Sequence, residues 1–279
     1  MKKLVIDIKN NYAVFAAGGD FKPEFGKIDF DEADFEDDTG TGKLLKIGGQ
    51  KLRELYADAQ QVVLTVPMRF SMVKAVEIDT EAIERLGDDF LRWEATQQIP
   101  EELGKFASGF SKLGESFDNR KIKYMFYVTP RDFIQVLIKF VAGPLGPRPV
   151  LNSEAIGLFN ALNLVSDCRG FNAAVSLEHD GATVVLSCDG DFVSGKFITG
   201  EGSQLSNEIM YYVLGHTPEG VKPQLLLSGD LAQVNHLNEF SWAELLRVQD
   251  SFGIDLEPEF DNPELFVTAA GLNLPIKNR

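Results

Sequence analysis

A chain of 279 residues, 44% apolar and 25% charged, is ordinary for a globular protein with a real core and is long enough for two lobes. Its formal charge of −15 speaks against nucleic acid, whose phosphates need Lys and Arg, and against broad attraction to anionic lipid. Residues 29–38, DFDEADFEDD, hold seven acids and no base, so the remainder sits at −8 and the acidity is partly local; the stretch reads as a solvated loop, with a partner or regulatory role as the alternative.

LVIDI (4–8) and YAVFAA (12–17) are apolar strands three residues apart, a β-hairpin carrying one acid, Asp7. A Gly- and acid-rich loop follows at 18–43, with one more strand near 25–30. QKLRELYADAQ (50–60) has apolar residues at 52, 55, 56 and 59, a helical spacing. VVLTVP (62–67) is a buried strand stopped by Pro67, and MVKAVEI (72–78) is another. Thr80 then caps a helix with Glu81 and Glu84 in its first turn, where acids suit the positive end of the dipole. Ile83, Leu86, Phe90, Trp93 and Gln97 share one face of that helix, and Pro100 ends it. IKYMFYV (122–128) is a strand, and TPRD (129–132) supplies an N-cap, a proline and an acid for a helix through Phe140 that stops at Gly143–Pro144. Ser153 caps a helix through Leu164.

A three-stranded meander spans 171–198, with Asp-Gly hairpin signals at 180–181 and 189–190. It repeats the strand–turn–strand opening of the chain, a duplication of architecture rather than of residues, and it favours two related α/β lobes over one doubly wound sheet. GEGSQLSNEIMYYVL (200–214) is a glycine loop entering a helix, QLLLSGDL (224–231) a buried strand ending in a turn, and LFVTAAGLNL (265–274) a final helix.

Few catalytic motifs survive inspection. GTGK (40–43) has Asp37 where a P-loop needs glycine and Leu44 where it needs Ser or Thr. There is no GxSxG elbow and no supported Ser-His-Asp or Cys-His set. Cys168 and Cys188 form no CxxC, and His179, His216 and His236 are scattered, none at metal-ligand spacing from another. With no signal peptide and no apolar run near 18 residues, the expectation is a cytosolic protein that reaches a membrane only through something else.

Taken in order, the pieces resemble a known family. VIDI (5–8) and its hairpin are similar to the first phosphate loop of the superfamily of actin, hexokinase and the heat-shock chaperones. KLRELYADAQQVVLTVPMRFSMVKAVEI (51–78), WEATQQIPEEL (93–103) and YVTPRDFIQVLIKFVAGPLGPRPVLNSEAIGLFNAL (127–162) resemble the PilM family of type IV pilus assembly proteins. GEGSQLSNEI (200–209), LLLSGDLAQVNHL (225–237) and FVTAAGLNL (266–274) are similar to that family's later helix start, its Leu-Ser-Gly-Gly motif and its closing helix. The ordered set covers nearly the whole chain.

The resemblance implies an α/β, actin-like (ribonuclease H-like) two-lobed fold with an FtsA-type 1C insertion. Residues 1–67 would begin subdomain IA, 68–150 form 1C, 151–170 return to IA, 171–262 form the second lobe and 263–279 the closing helix. Subdomain IIB would be missing or reduced, since only residues 210–223 separate the glycine-loop helix from the next strand motif. It further implies a cytoplasmic scaffold, peripheral at the inner membrane, that binds the short cytoplasmic tail of a PilN-like bitopic protein in a groove between IA and 1C. Through that tail this chain would join the other platform proteins of a type IV pilus or related type II secretion system, with no nucleic acid and no insertion of its own into the membrane.

The nucleotide loops depart from the family pattern. Asp7 is kept, but the following Gly-Ser-Ser is Lys9, Asn10 and Asn11, and a Cβ at position 9 crowds the approach of backbone amides to a phosphate; a lysine meeting the phosphate as a point charge is the alternative. The second loop has Ser176 for the metal-side acid and Glu178 for the glycine, and the third has Asp230 after Gly229. Asp7, Lys9, Asn10, Ser176, Glu178, Gly200, Gly202, Gly229 and Asp230 are therefore expected to be remnants of a nucleotide site, with no cofactor, no metal and no catalysis. The competing readings are an ATP- and Mg²⁺-binding actin-like ATPase and an FtsA-like filament protein.

Overall fold

The computed structural model of the chain describes residues 3–9, 12–18, 24–29, 59–97, 105–115, 120–142, 149–166, 168–231, 237–246, 265 and 267–273. The opening hairpin forms as its apolar strands require. β1 (Lys3–Ile8) pairs antiparallel with β2 (Tyr12–Gly18), with Asp7 opposite Val14, and the Lys9 N–H donates to the Tyr12 carbonyl at 2.8 Å to close the turn. β3 (Glu24–Asp29) adds to β2 as an edge strand, exposing Glu24, Lys27 and Asp29 while burying Phe25 and Ile28. On the other side of β1 lie, in parallel, β4 (Gln61–Val66) and then β8 (Val150–Ser153).

The second lobe repeats this plan. β9 (Phe171–Glu178), β10 (Gly181–Cys188) and β11 (Asp191–Thr199) form the meander, and β12 (Gln224–Gly229) and β13 (Glu244–Leu246) lie parallel to β9. The two strand orders, β3-β2-β1-β4-β8 and β11-β10-β9-β12-β13, correspond element for element. A third sheet, in the order β5 (Met72–Asp79), β7 (Lys121–Pro130), β6 (Phe106–Glu115), is inserted between β4 and β8.

Central strands buried on both faces need a cover on each side. Between the lobes, α3 (Glu154–Val165) and α5 (Val267–Asn273) pack together in a core shared by Val5, Val14 and Val63 of the first sheet and Ala174, Val185 and Leu226 of the second. A Cβ on Gly271 would collide with the Gly157 carbonyl oxygen, so these helices touch backbone to backbone. The outer face of the first sheet is covered by α2 (Arg131–Ala142) through Leu137. α4 (Gly202–His216) covers the second through Leu205, Ile209 and Val213. α1 (Thr80–Gln97) lies on the third sheet, its Leu91 and Ala95 against Tyr124 and Phe126. Seven residues, 217–223, join α4 directly to β12, and no subdomain stands between them.

Several expectations are met. The Ser153 Oγ accepts from the Ala155 N–H at 3.2 Å and caps α3, and Asp189 and Gly190 both take positive φ in the β10–β11 turn. Others need correction. Thr129 lies within β7 and its hydroxyl donates to the Phe70 carbonyl at 2.7 Å, so α2 starts at Arg131 without the expected threonine cap. β6 is a strand that the sequence pattern does not announce. The single apolar face expected on α1 is broken at Gly87 (φ 65°, ψ −160°): Ile83 and Phe90 pack on the third sheet beside the buried Leu91 and Ala95, while Leu86 and Trp93 face out. Of the helix expected at 50–60, residues 50–58 lie outside the described residues and Ala59 and Gln60 are not helical; GTGK, the proline stops at 100 and 144, Asn10, His236 and the acidic segment beyond Asp29 also lie outside them.

Candidate functional site

Because the lobes share one topology, the β1–β2 turn and the β9–β10 turn, His179–Asp180, stand at equivalent sheet positions. α3 begins beside both. Lys9, at the end of β1, reaches across from the first lobe to the second and is buried. Its ammonium bonds the Glu154 Oε1 at the start of α3, lies 3.4 Å from Asp7 Oδ2 and 3.7 Å from Glu178 Oε1, and donates to Ser176 Oγ at 3.3 Å.

The carboxylates around it are held unequally. Thr65 donates to Asp7 Oδ1 at 2.6 Å and accepts from the Ile8 N–H at 3.3 Å. Glu154 Oε2 accepts from the Met68 N–H at 2.9 Å and from Thr183 Oγ1 of β10 at 3.0 Å, so Glu154 also spans the lobes. Among the described residues, neither Glu178 oxygen finds a hydrogen-bond donor; the charges of Lys9 and of Arg69, whose Nε is 3.8 Å away, hold it. Arg69 sits in a single 3-10 turn, Met68–Phe70, pairs with Asp180, and lays its guanidinium 4.9 Å from the Phe197 ring centre of β11.

Burial pushes the Glu178 carboxyl up to about 7, with Glu154 and Asp7 adding to the rise and Lys9 and Arg69 opposing it. Burial likewise raises Asp7 against the pull of Lys9. For Lys9 burial disfavours the charge, but Asp7, Glu154 and Glu178 outweigh it and hold the ammonium well above the ordinary lysine range. Burial also raises the Tyr12 phenol, whose hydroxyl has no hydrogen-bond partner among the described residues.

The third loop closes the same end. Gly229 (φ 82°) ends β12, a Cβ there would collide with the Leu177 carbonyl oxygen, and the Asp230 N–H donates to that oxygen at 3.0 Å. The Gly200 N–H donates to the Asp180 carbonyl at 3.1 Å, and Gly202 opens α4. At the amino end of α4 the Glu239 carboxylate accepts from Ser203 at 3.1 Å and from Ser206, so a protein anion already sits at the positive end of this helix. Beside Lys9, Arg69 and Glu178 runs an apolar recess lined by Ile8, Pro67, Phe70, Phe133 and Leu137, with the Phe70 and Phe133 rings 4.2 Å apart.

Of the residues expected at a nucleotide site, Asp7, Lys9, Ser176 and Glu178 form one cluster, and Gly200, Gly202, Gly229 and Asp230 border it. Glu154, Arg69, Thr65, Thr183 and Tyr12 belong to the same cluster and were missed. Thr65 carried a signal, as the single hydroxyl inside an apolar run buried on both faces; Thr183 shares its buried strand with Ser187 and stands out less.

No protein-family model matches the chain. No curated protein matches it either. Solved structures do. A chain of a PilM–PilN type IV pilus biogenesis complex superposes with a TM-score of 0.65 at 13% identity, covering 98% of each chain. A Bacteroides thetaiotaomicron protein with an actin-like ATPase fold and unknown function superposes with a TM-score of 0.55 at 10% identity, covering 97% of this chain and 95% of that one. The cytoplasmic domain of EpsL, an inner-membrane component of the type II secretion system of Vibrio cholerae, gives a TM-score of 0.49 at 16% identity over 84% and 85% of the two chains. The fold is actin-like, and at the level of the fold it is PilM-like.

Proposed function

We propose that this protein is a non-catalytic, partner-binding scaffold of the cytoplasmic assembly platform of a type IV pilus or related secretion system, with a nucleotide cleft filled by its own side chains. The observation that carries the reading is Lys9. Its ammonium occupies the junction where the superfamily's two phosphate loops meet, and it is satisfied there by Glu154, Asp7, Glu178 and Ser176.

A nucleoside triphosphate with Mg²⁺ does not fit these residues. Its phosphates would have to displace Lys9 and then meet Glu178, whose oxygens accept no hydrogen bond from the described residues, beside Asp7 and Glu154. Like charges about 4 Å apart repel by ~1 kcal/mol in bulk water and ~4 kcal/mol at the effective dielectric of a protein site. The divalent cation has lost a ligand as well, with Ser176 in place of an acid.

What remains is binding. The recess between the 3-10 turn and α2 lies where the first lobe meets the inserted third sheet, and it presents the Phe70 and Phe133 rings. We assign to it a short apolar tail of a PilN-like bitopic membrane protein, which would hold this chain peripherally at the inner membrane beside the other platform proteins. The support is the whole-chain likeness to a chain of the PilM–PilN complex. A groove that is already ordered loses little entropy when it accepts such a tail.

The test is calorimetry with ATP and Mg²⁺, run beside a titration with a PilN-like tail peptide. No heat from the nucleotide and saturable binding of the peptide are expected. Nucleotide binding tighter than ~100 μM, which would stabilise the protein by more than ~1 kcal/mol at millimolar ligand, would overturn the filled-cleft reading.

A further inference from the structure

The outward face of α1 carries an inference independent of the cleft. Even-numbered residues of β7, Tyr124 and Phe126, point at α1, while Met125 points into the core between the lobes, so the third sheet separates α1 from the site above. Core helices turn their apolar stripe inward. Here Leu91 and Ala95 are buried with Ile83 and Phe90 packed beside them, and two large apolar residues stay outside: Leu86 is 47% exposed and Trp93 is 54% exposed, its ring stacked on that of Phe90 with ring centres 5.9 Å apart. An exposed tryptophan braced by a phenylalanine is the type of anchor that dominates binding energy at interfaces.

Charge selects the occupant. α1 carries Glu81, Glu84, Asp88, Asp89 and Glu94 against Arg85 and Arg92, a net of −3. The chain's own segment 29–38, with seven acids, is repelled from it, and so is a second copy of a chain at −15. We propose that this face docks a basic amphipathic segment of a partner protein, its apolar side chains on Leu86 and Trp93 and its Lys and Arg residues beside the flanking acids.

The test uses Trp93 as its own reporter. The chain has two tryptophans, so Trp242→Phe leaves Trp93 alone. The full chain is titrated with a synthetic leucine–lysine amphipathic peptide of about 15 residues, long enough to form a helix on the surface, with the leucine–glutamate peptide of the same pattern, and with phosphatidylglycerol vesicles. A saturable blue shift of Trp93 with the lysine peptide alone is expected. It should weaken at least about tenfold in Leu86→Ser and in Asp88→Lys/Asp89→Lys, and it should persist in Glu208→Lys/Glu219→Lys, which reverses two exposed acids away from α1. Circular dichroism checks that each variant is folded. No shift overturns the proposal. So does a shift that survives both α1 variants, one that falls equally in the Glu208/Glu219 variant, or one produced by the vesicles.

Discussion

Lys9 of the first lobe and Glu178 of the second stand 3.7 Å apart at the ends of β1 and β9, strands that hold matching places in two sheets of one topology. Each is buried and each lies among further carboxylates, so removing Lys9 leaves Glu178 in the repulsive field of Asp7 and Glu154, whereas removing Glu178 leaves Lys9 still paired. Lys9→Met would leave Asp7, Glu154 and Glu178 without their shared cation, and a loss of about 3–5 kcal/mol is expected in urea unfolding. Adding Glu178→Gln should recover part of it, with a coupling energy of about 1–3 kcal/mol in the double-mutant cycle. Simple additivity would mean that the two side chains do not sense each other.

Stability should fall as pH rises through the slightly acid range. Glu178 has a folded pKa of about 7 against an ordinary 4.5, so between those values the folded protein holds a proton that the unfolded chain has released. The slope is then negative, and a full proton corresponds to ~1.4 kcal/mol per pH unit. Asp7, also raised, acts in the same direction. Lys9 acts at the other end of the scale: its contribution is whole below pH 10.5 and is lost as pH rises through its higher folded value. Urea midpoints from pH 5 to pH 8 should decline in the native protein and decline less in Glu178→Gln. An equal slope in both would remove Glu178 as the titrating group.

Two glycines, one on the helix pair between the lobes and one on the outer helix α4, predict opposite effects. In Gly271→Ala the new methyl meets the Gly157 carbonyl oxygen, so α5 must shift away from α3 and a loss of about 2 kcal/mol or more is expected. At Gly215 in α4 an alanine methyl would meet nothing within 4 Å, and Gly215→Ala should stabilise by about 0.5–1 kcal/mol through helix propensity. Thermal unfolding of the two variants side by side reads both signs.

The strands around the site are legible in the sequence because their turns are: Asp7, Lys9, Ser176 and Glu178 emerge when one hairpin is laid over the other. Glu154 does not, because an acid just after a serine cap is already explained by the helix dipole. Arg69 hides in a three-residue turn. On α1 the apolar periodicity runs through Gly87 as if through one helix, whereas the backbone breaks there, and of the expected face Ile83 and Phe90 pack inward while Leu86 and Trp93 stay out. β6, FASGFSKLGE, is diluted by Gly and Ser. Its strand character comes from its partner, since the Tyr127 ring covers Gly109 and occupies the space a Cβ would need. Glu154, Arg69 and β6 share a cause: each is specified by a group far away in the sequence.

The recess beside Arg69 yields the last prediction, and it rests on the proposed scaffold function. Phe70 is 38% exposed and its ring leans on Phe133 at 34° between planes, so the pair is a surface shelf rather than part of a closed core. Phe70→Ala should therefore leave the unfolding midpoint nearly unchanged. A tail that seats an apolar side chain between the two rings should lose about 2 kcal/mol, roughly 30-fold in affinity. Fluorescence anisotropy of a labelled PilN-like tail peptide measures it, with Tyr211→Ala on the second lobe, an exposed aromatic of α4, as the control that should bind normally. If Phe70→Ala binds the peptide as well as the native chain does, the tail sits elsewhere. If neither binds it, the scaffold reading fails, whatever occupies the outward face of α1.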